Sequence, residues 1–154
     1  MTRLDGMVCS IARSLDLVGE WWTMLILRDA MFGVTRFEDF RVRLGIASNV
    51  LSGRLDKMVD HEILIRRQYS ERPPRFEYLL TDKGRELYVV LMALMQWGDR
   101  WTADEQGPPT EVLHGRCGHP VHVTVGCSHC DEATPLEAVV PRALLPGSPA
   151  PVQP

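Results

Sequence analysis

No run of this 154-residue chain reaches the ~20 consecutive apolar residues that a membrane-spanning helix needs. The opening Met-Thr-Arg-Leu-Asp-Gly lacks the basic stretch and apolar core of a secretory leader. Both absences point to a cytoplasmic protein with no membrane partner. No internal repeat is visible. There is no glycine-rich phosphate loop, no nucleophile set beside a base, and no metal site with three ligands and an open position. Those gaps argue against an enzyme. Cysteine is scarce, at four residues. In a reducing compartment so few thiols suggest metal or redox chemistry before a disulfide framework.

What is present suffices for a packed core, since 45 % of the residues are apolar. The length favours one domain, with room for a small appendage.

The most informative stretch runs from Thr35 to Thr81. Thr35 stands three residues before Glu38, the spacing of a box that caps a helix start. Phe37, Phe40 and Leu44 then fall on one helical stripe. Gly45 supplies the residue that ends a helix with positive φ. Ser48 can cap a second helix, whose stripe is Leu51, Leu55 and Met58. Two short helices joined this tightly read as helix-turn-helix. Next, Ile63, Ile65 and Tyr69 fall on one side of a strand, with Leu64, Arg66 and Gln68 on the other. Phe76, Tyr78 and Leu80 keep the two-residue period on a return strand. Ser70 to Arg75 would form the hairpin loop. Helix, turn, helix and hairpin in that order make a winged helix.

Charge supports the same reading. From Arg36 to Arg75 nine basic residues outweigh six acidic ones, although the whole chain is net −3. A locally basic module in a mildly acidic protein is the footprint of a nucleic-acid binder.

The residues also resemble a known family. Cys9, Leu15-Asp16-Leu17-Val18-Gly19, Trp22-Thr23-Met24-Leu25-Ile26-Leu27-Arg28, Arg36-Phe37, Gly45-Ile46, Leu51-Ser52, Arg54-Leu55, Pro74-Arg75, Tyr78, Leu80-Thr81, Gly84 and Trp97 occur in order over about residues 9 to 98. Together they resemble the HxlR-type transcriptional regulators, relatives of the MarR winged-helix group. The resemblance implies a homodimer, and it matches Cys9 to a cysteine that some members use as a redox switch. Two positions depart from the pattern. Trp21 stands where the family usually has Lys, and Glu62 stands where Gly commonly ends the second helix. A left-handed Glu62 would cost about 1 kcal/mol.

Candidate DNA contacts follow from helix geometry. The second helix of such a unit turns its N-terminal residues toward base edges. Rotating from Leu51 places Asn49, Gly53 and Lys57 opposite the core, with Ser48 and Ser52 on the flank. Asn can pair with adenine through two hydrogen bonds, and serine with either base type. Gly53 permits close backbone approach. Arg54 is assigned to phosphate, as are Arg36, Arg41 and Arg43 around the first helix. Arg72 and Arg75 on the wing are expected at phosphates or a minor groove.

The first 34 residues predict two helices. Ile11, Leu15 and Val18 mark the face of one, and Trp22, Leu25, Ile26 and Ala30 the buried face of the next. Cys9 begins the first, where amide dipoles favour the reactive thiolate. It is a candidate redox sensor, or else a small buried apolar residue.

Thr81 is expected to cap a long helix reaching about Thr102. Leu87, Leu91, Leu94, Trp97 and Trp101 form one stripe, and Val89, Val90, Met92 and Met95 a second apolar flank. So much apolar circumference implies a partner, most simply a second copy. Gly107-Pro108-Pro109 reads as a linker. After it, His114, Cys117, Cys127 and Cys130 have the His-x2-Cys-x9-Cys-x2-Cys spacing of a small zinc ribbon holding one structural zinc ion. His119 or His122 could replace His114. A disulfide between Cys127 and Cys130, or a flexible segment of free thiols, is the competing reading. From Pro141 the proline-rich tail is expected to be disordered.

The expected protein is α+β and mainly α. It has a winged helix-turn-helix with dimerisation helix over residues 1–106, a zinc-ribbon-like segment over 107–140 and a tail over 141–154. Its expected function is a homodimeric repressor that binds a pseudo-palindromic duplex and responds to an oxidant or small-molecule signal. The alternative is a protein–protein adaptor that uses the winged helix and ribbon without specific DNA binding.

Overall fold

Backbone hydrogen bonding and apolar spacing agree over most of the chain. The structure, a computed structural model, describes residues 6–149. Its order is α1 (Ser10–Val18), α2 (Trp21–Met31), α3 (Phe37–Leu44), α4 (Ser48–Asp60), β1 (Leu64–Glu71), β2 (Pro74–Leu80), α5 (Asp82–Glu86) and α6 (Tyr88–Trp101), with a 3-10 turn at Leu136–Ala138. Contacts group the described residues up to Tyr88, with Ala143–Pro149, into one unit and Val89–Arg142 into another. Residues 1–5 of the opening stretch and 150–154 of the tail lie outside the described residues. Among the described residues no helix is long and apolar enough to cross a membrane.

In the first unit α2 packs against α3, α4 and β2. The core is Ile26 and Leu27 of α2, Phe40 of α3, Leu51, Leu55 and Met58 of α4, and Ile63 and Leu64 at the hairpin base. Burying each such side chain stabilises the fold by about 1.5–3 kcal/mol. The two strands form one antiparallel ladder, Leu64 facing Leu80 and Arg66 facing Tyr78.

Gly45 ends α3 at φ 61, as its sequence position predicts. The other end of the reading pair is more telling. Glu62 adopts φ 57. Its N–H donates to the Val59 carbonyl at 2.9 Å, and the Ile63 N–H donates to Met58 at 2.8 Å. This is a Schellman end, with Met58 and Ile63 both buried beside it. Glycine fits that position without strain. Glu62→Gly is therefore expected to stabilise the first unit by about 1 kcal/mol. Thermal unfolding followed by circular dichroism should show a rise of about 4–8 °C.

Several local expectations are corrected. Thr35 does not cap α3, and no side chain does. The sheet has claimed this segment, because the Tyr78 N–H donates to the Thr35 carbonyl at 2.7 Å and Arg36 bridges Glu77. Glu38 turns to Arg41 instead, accepting from Nε at 2.9 Å. Ser48 is the first residue of α4, and Ala47 holds the cap position with extended backbone. The wing tip is shorter than Ser70–Arg75, since the ladder continues to the Glu71–Pro74 pair and leaves only Arg72 and Pro73. In α1 the buried residues are Ala12 and Val18, while Ile11 and Leu15 are exposed. In α2 Trp22 and Leu25 are only half-buried.

The expected single helix from Thr81 is interrupted once. Thr81 caps α5 as predicted, accepting from the Gly84 N–H at 3.0 Å. The chain then tightens at Leu87, whose N–H reaches the Gly84 carbonyl instead of the carbonyl four residues back. Gly84 sits against the hairpin, so close that a Cβ there would lie 2.2 Å from the Ile63 carbonyl oxygen.

The second unit begins within α6, which buries none of its own side chains; Val89, Leu94, Trp97 and Trp101 are all more than half exposed. Beyond it lie two small hairpins, closed by the bridges Leu113↔Pro120 and Gly126↔Ala133. The backbone thus repeats where the sequence shows no repeat, because hydrogen-bonded turns tolerate different side chains.

Candidate nucleic-acid interface

The outward face of α4 is built by its own core stripe. With Leu51, Leu55 and Met58 buried, Ser48, Asn49, Ser52, Gly53 and Lys57 are all exposed. The face is polar and carries, besides Lys57, Asp56, which sequence reasoning passed over. Asp56 accepts a long 3.5 Å hydrogen bond from the Ser52 hydroxyl. Its four-residue spacing from Ser52 was the available signal.

Gly53 has open space where a Cβ would stand. Gly53→Ala is therefore expected to stabilise α4 by about 1 kcal/mol through helix propensity. If a duplex backbone approaches this point, the same substitution weakens DNA binding. Denaturant unfolding and anisotropy titration of one variant separate the two effects. Higher stability with unchanged affinity would place the duplex elsewhere.

The predicted basic contacts divide into two groups. Some are engaged within the domain. Arg41 pairs with Glu38, whose carboxyl is held below its ordinary value by the hydrogen bond from Arg41. Arg43 reaches Asp29 at 3.4 Å, and Arg54 meets Glu20 at 3.0 Å. Asp29 is fully buried and also paired with Arg28 at 2.8 Å. Sequence reasoning missed it, because Arg43 lies fourteen residues away and no periodicity links the two.

The other group has no carboxylate partner among the described residues: Arg36, Lys57, Arg72 and Arg75. Arg36 lies 4.9 Å over the Tyr69 ring, a contact that orders the side chain without neutralising it. Arg36 and Arg75 line one cleft between the start of α3 and the wing, beside Glu38 and Asp39. Arg66, not singled out beforehand, stacks 3.7 Å over Phe76 on β2. Burial raises the Tyr78 phenol above its ordinary value.

A sequence model described as HxlR-like helix-turn-helix matches residues 17–106. The chain belongs to this HxlR-like family. It is a transcriptional regulator of the helix-turn-helix type. The HTH-type transcriptional regulator Rv3095 of Mycobacterium tuberculosis is 43 % identical over 133 residues, covering 86 % of this chain and 84 % of that protein. The crystal structure of PA1607, described as a candidate transcription factor, superimposes with a TM-score of 0.82 at 34 % identity. It covers 92 % of this chain and 99 % of its own. The redox regulator HypR in its reduced form matches with a TM-score of 0.56 at 28 % identity, over 60 % of this chain and 92 % of its own.

The remaining predicted positions are not part of α3, α4 or the wing. Cys9 caps α1 with extended backbone and is half-buried. In the second unit all three cysteines are free thiols. His114 Nδ1 is 3.1 Å from Cys117 Sγ. The backbone amides of Cys130 and His129, with the Cys130 thiol, hold the Cys127 thiol below its ordinary value. Among the described residues no three His, Cys, Asp or Glu side chains converge on one metal position.

Proposed function

We propose that this HxlR-like regulator is a homodimeric repressor that reads a two-fold duplex with α4 and holds it with the wing. One observation carries the reading: α4 presents Asn49, Ser52 and Gly53 outward from a fully buried Leu51–Leu55 stripe, while Arg72 and Arg75 carry unneutralised charge at the wing. Polar groups able to read bases and cations able to hold phosphate are then supplied by different elements. The exposed apolar face of α6 supports a second copy as the partner. Leaving Trp97 and Trp101 in water on every molecule would be an unusually large apolar exposure.

Similarity to HypR supports an oxidant as the signal, with Cys9 as the sensing thiol. A shift at Cys9 would move α1 and so alter the distance between paired reading helices. Oxidant is then expected to release DNA from the wild type and not from Cys9→Ser.

The deciding experiment is anisotropy titration of the full chain with duplex from upstream of its own gene and with a shuffled duplex, from about 50 to about 200 mM salt. Tighter binding to the native duplex with a steep salt slope supports the repressor. Equal and feeble binding to both, with thiols reduced, overturns it in favour of the protein–protein adaptor.

A further inference from the structure

The two hairpins of the second unit share three backbone hydrogen bonds at a spacing of thirteen residues. His114 N–H donates to the His119 carbonyl at 2.8 Å, as Cys127 N–H donates to Glu132 at 3.1 Å. Gly118 N–H returns to the His114 carbonyl at 2.8 Å, as Asp131 N–H returns to Cys127 at 2.9 Å. Val121 N–H meets Val112 and Thr134 N–H meets Val125, both at 2.8 Å. Gly118 and Asp131 share positive φ, 68 and 59. In this register His114 corresponds to Cys127, and Cys117 to Cys130.

Each tight turn therefore offers a pair of donor atoms. In a tetrahedral zinc site, with Zn–N near 2.0 Å and Zn–S near 2.3 Å, the N and S ligands stand about 3.5 Å apart. His114 Nδ1 and Cys117 Sγ, at 3.1 Å, already approach that edge.

Burial does not hold these turns, since none of residues 113–133 is buried. Hairpins this small rarely hold their shape without a core, a disulfide or a metal. The turns lie beyond residue 106, where the family match ends.

We propose that the two turns are halves of one structural metal site, in which His114 with Cys117 and Cys127 with Cys130 close around a single zinc ion. The halves stand apart in the described structure, where no three such ligands converge. Nine residues, Gly118 to Gly126, connect them. Gln96 of α6 holds the middle of that link, accepting from the Val123 N–H at 2.9 Å and donating to its carbonyl at 3.3 Å. Three thiolates and one imidazole leave no open position, so the ion is structural.

His119 and His122 are the rival ligands. The thirteen-residue register pairs them with Glu132 and Pro135, which belong to no donor pair, and His119 Nδ1 already contacts the Cys117 carbonyl at 2.9 Å.

The full chain, produced with zinc and purified under reducing conditions, tests this by metal mass spectrometry and by cobalt substitution. About one zinc per chain is expected, and the cobalt form should show tetrahedral d–d bands with thiolate charge transfer. His114→Ala, Cys117→Ser and Cys127→Ser should each weaken zinc binding about 100-fold or more, while His119→Ala and His122→Ala should leave it within about twofold. Retention of wild-type affinity by His114→Ala would overturn the ligand set. Metal-free protein, an octahedral cobalt spectrum, or a Cys127–Cys130 disulfide that forms in place of metal binding would overturn the site. The wild-type cobalt spectrum decides even if a variant fails to fold.

Discussion

Alanine at both Arg72 and Arg75 is expected to weaken binding to every duplex, native or shuffled, by about tenfold to a hundredfold at low salt. The slope of log affinity against log salt should fall by about 3–4, because the homodimer loses two phosphate contacts per protomer and each contributes close to one released counterion. Both side chains are exposed and have no carboxylate partner among the described residues. Their charge is thus available to a phosphate without first breaking an ion pair. Asn49→Ala should behave differently. Asn49 is exposed on the first turn of α4 and carries no charge, so its loss should leave the salt slope intact. It should cost about 1–3 kcal/mol per half-site on the native duplex and almost nothing on the shuffled one. Salt-dependent anisotropy on the three proteins measures both effects. If the wing variant kept its affinity, or Asn49→Ala weakened both duplexes equally, the assignment of phosphate and base contacts would be wrong. Arg43 and Arg54 should show smaller effects than the wing arginines, since each is held by a carboxylate, Asp29 or Glu20.

Gly84→Ala is expected to destabilise the first unit more than any surface change, by about 2–3 kcal/mol. The added Cβ would stand 2.2 Å from the Ile63 carbonyl oxygen and 3.1 Å from Leu80 Cδ2. A backbone carbonyl cannot rotate away as a side chain can. The same carbonyl accepts from the Thr81 N–H at 3.2 Å, so moving it also disturbs the α5 cap. Lys83 Nζ, bound to the His61 carbonyl at 2.7 Å, is a further tie across this junction. Thermal unfolding should shift down by about 10–20 °C. An unchanged midpoint would mean that α5 moves off the hairpin at little cost. With Glu62→Gly shifting the midpoint upward, the pair brackets one junction, where α4 ends, the wing closes and α5 begins.

Much of the reading unit was legible in the residues. Leu51, Leu55 and Met58 at helical spacing fix which side of α4 faces inward, so Asn49, Gly53 and Lys57 must face out. Gly45 and Glu62 mark the two ends of the pair, one by glycine's freedom and the other by its absence. Strand alternation located the wing. The helix caps were less legible. Thr35 has the right spacing from Glu38, yet its backbone is taken by Tyr78, forty-three residues away. A local rule cannot see a distant competitor.

The sequence by itself determined the order of elements, the outward face of α4 and the excess of basic charge around it, because each follows from residue periodicity and counting. Tertiary structure alone decided which of those charges remain free. Arg43 is drawn to buried Asp29 and Arg54 to Glu20, pairings that depend on how α2, α3 and α4 pack. It also decided that α5 and α6 part at Leu87 behind a glycine seated on the hairpin. Two dissimilar stretches, around His114 and Cys127, likewise share one backbone bond pattern only in three dimensions. Periodicity is a property of neighbours along the chain; ion pairs, close approaches and matched turns are set by neighbours in space.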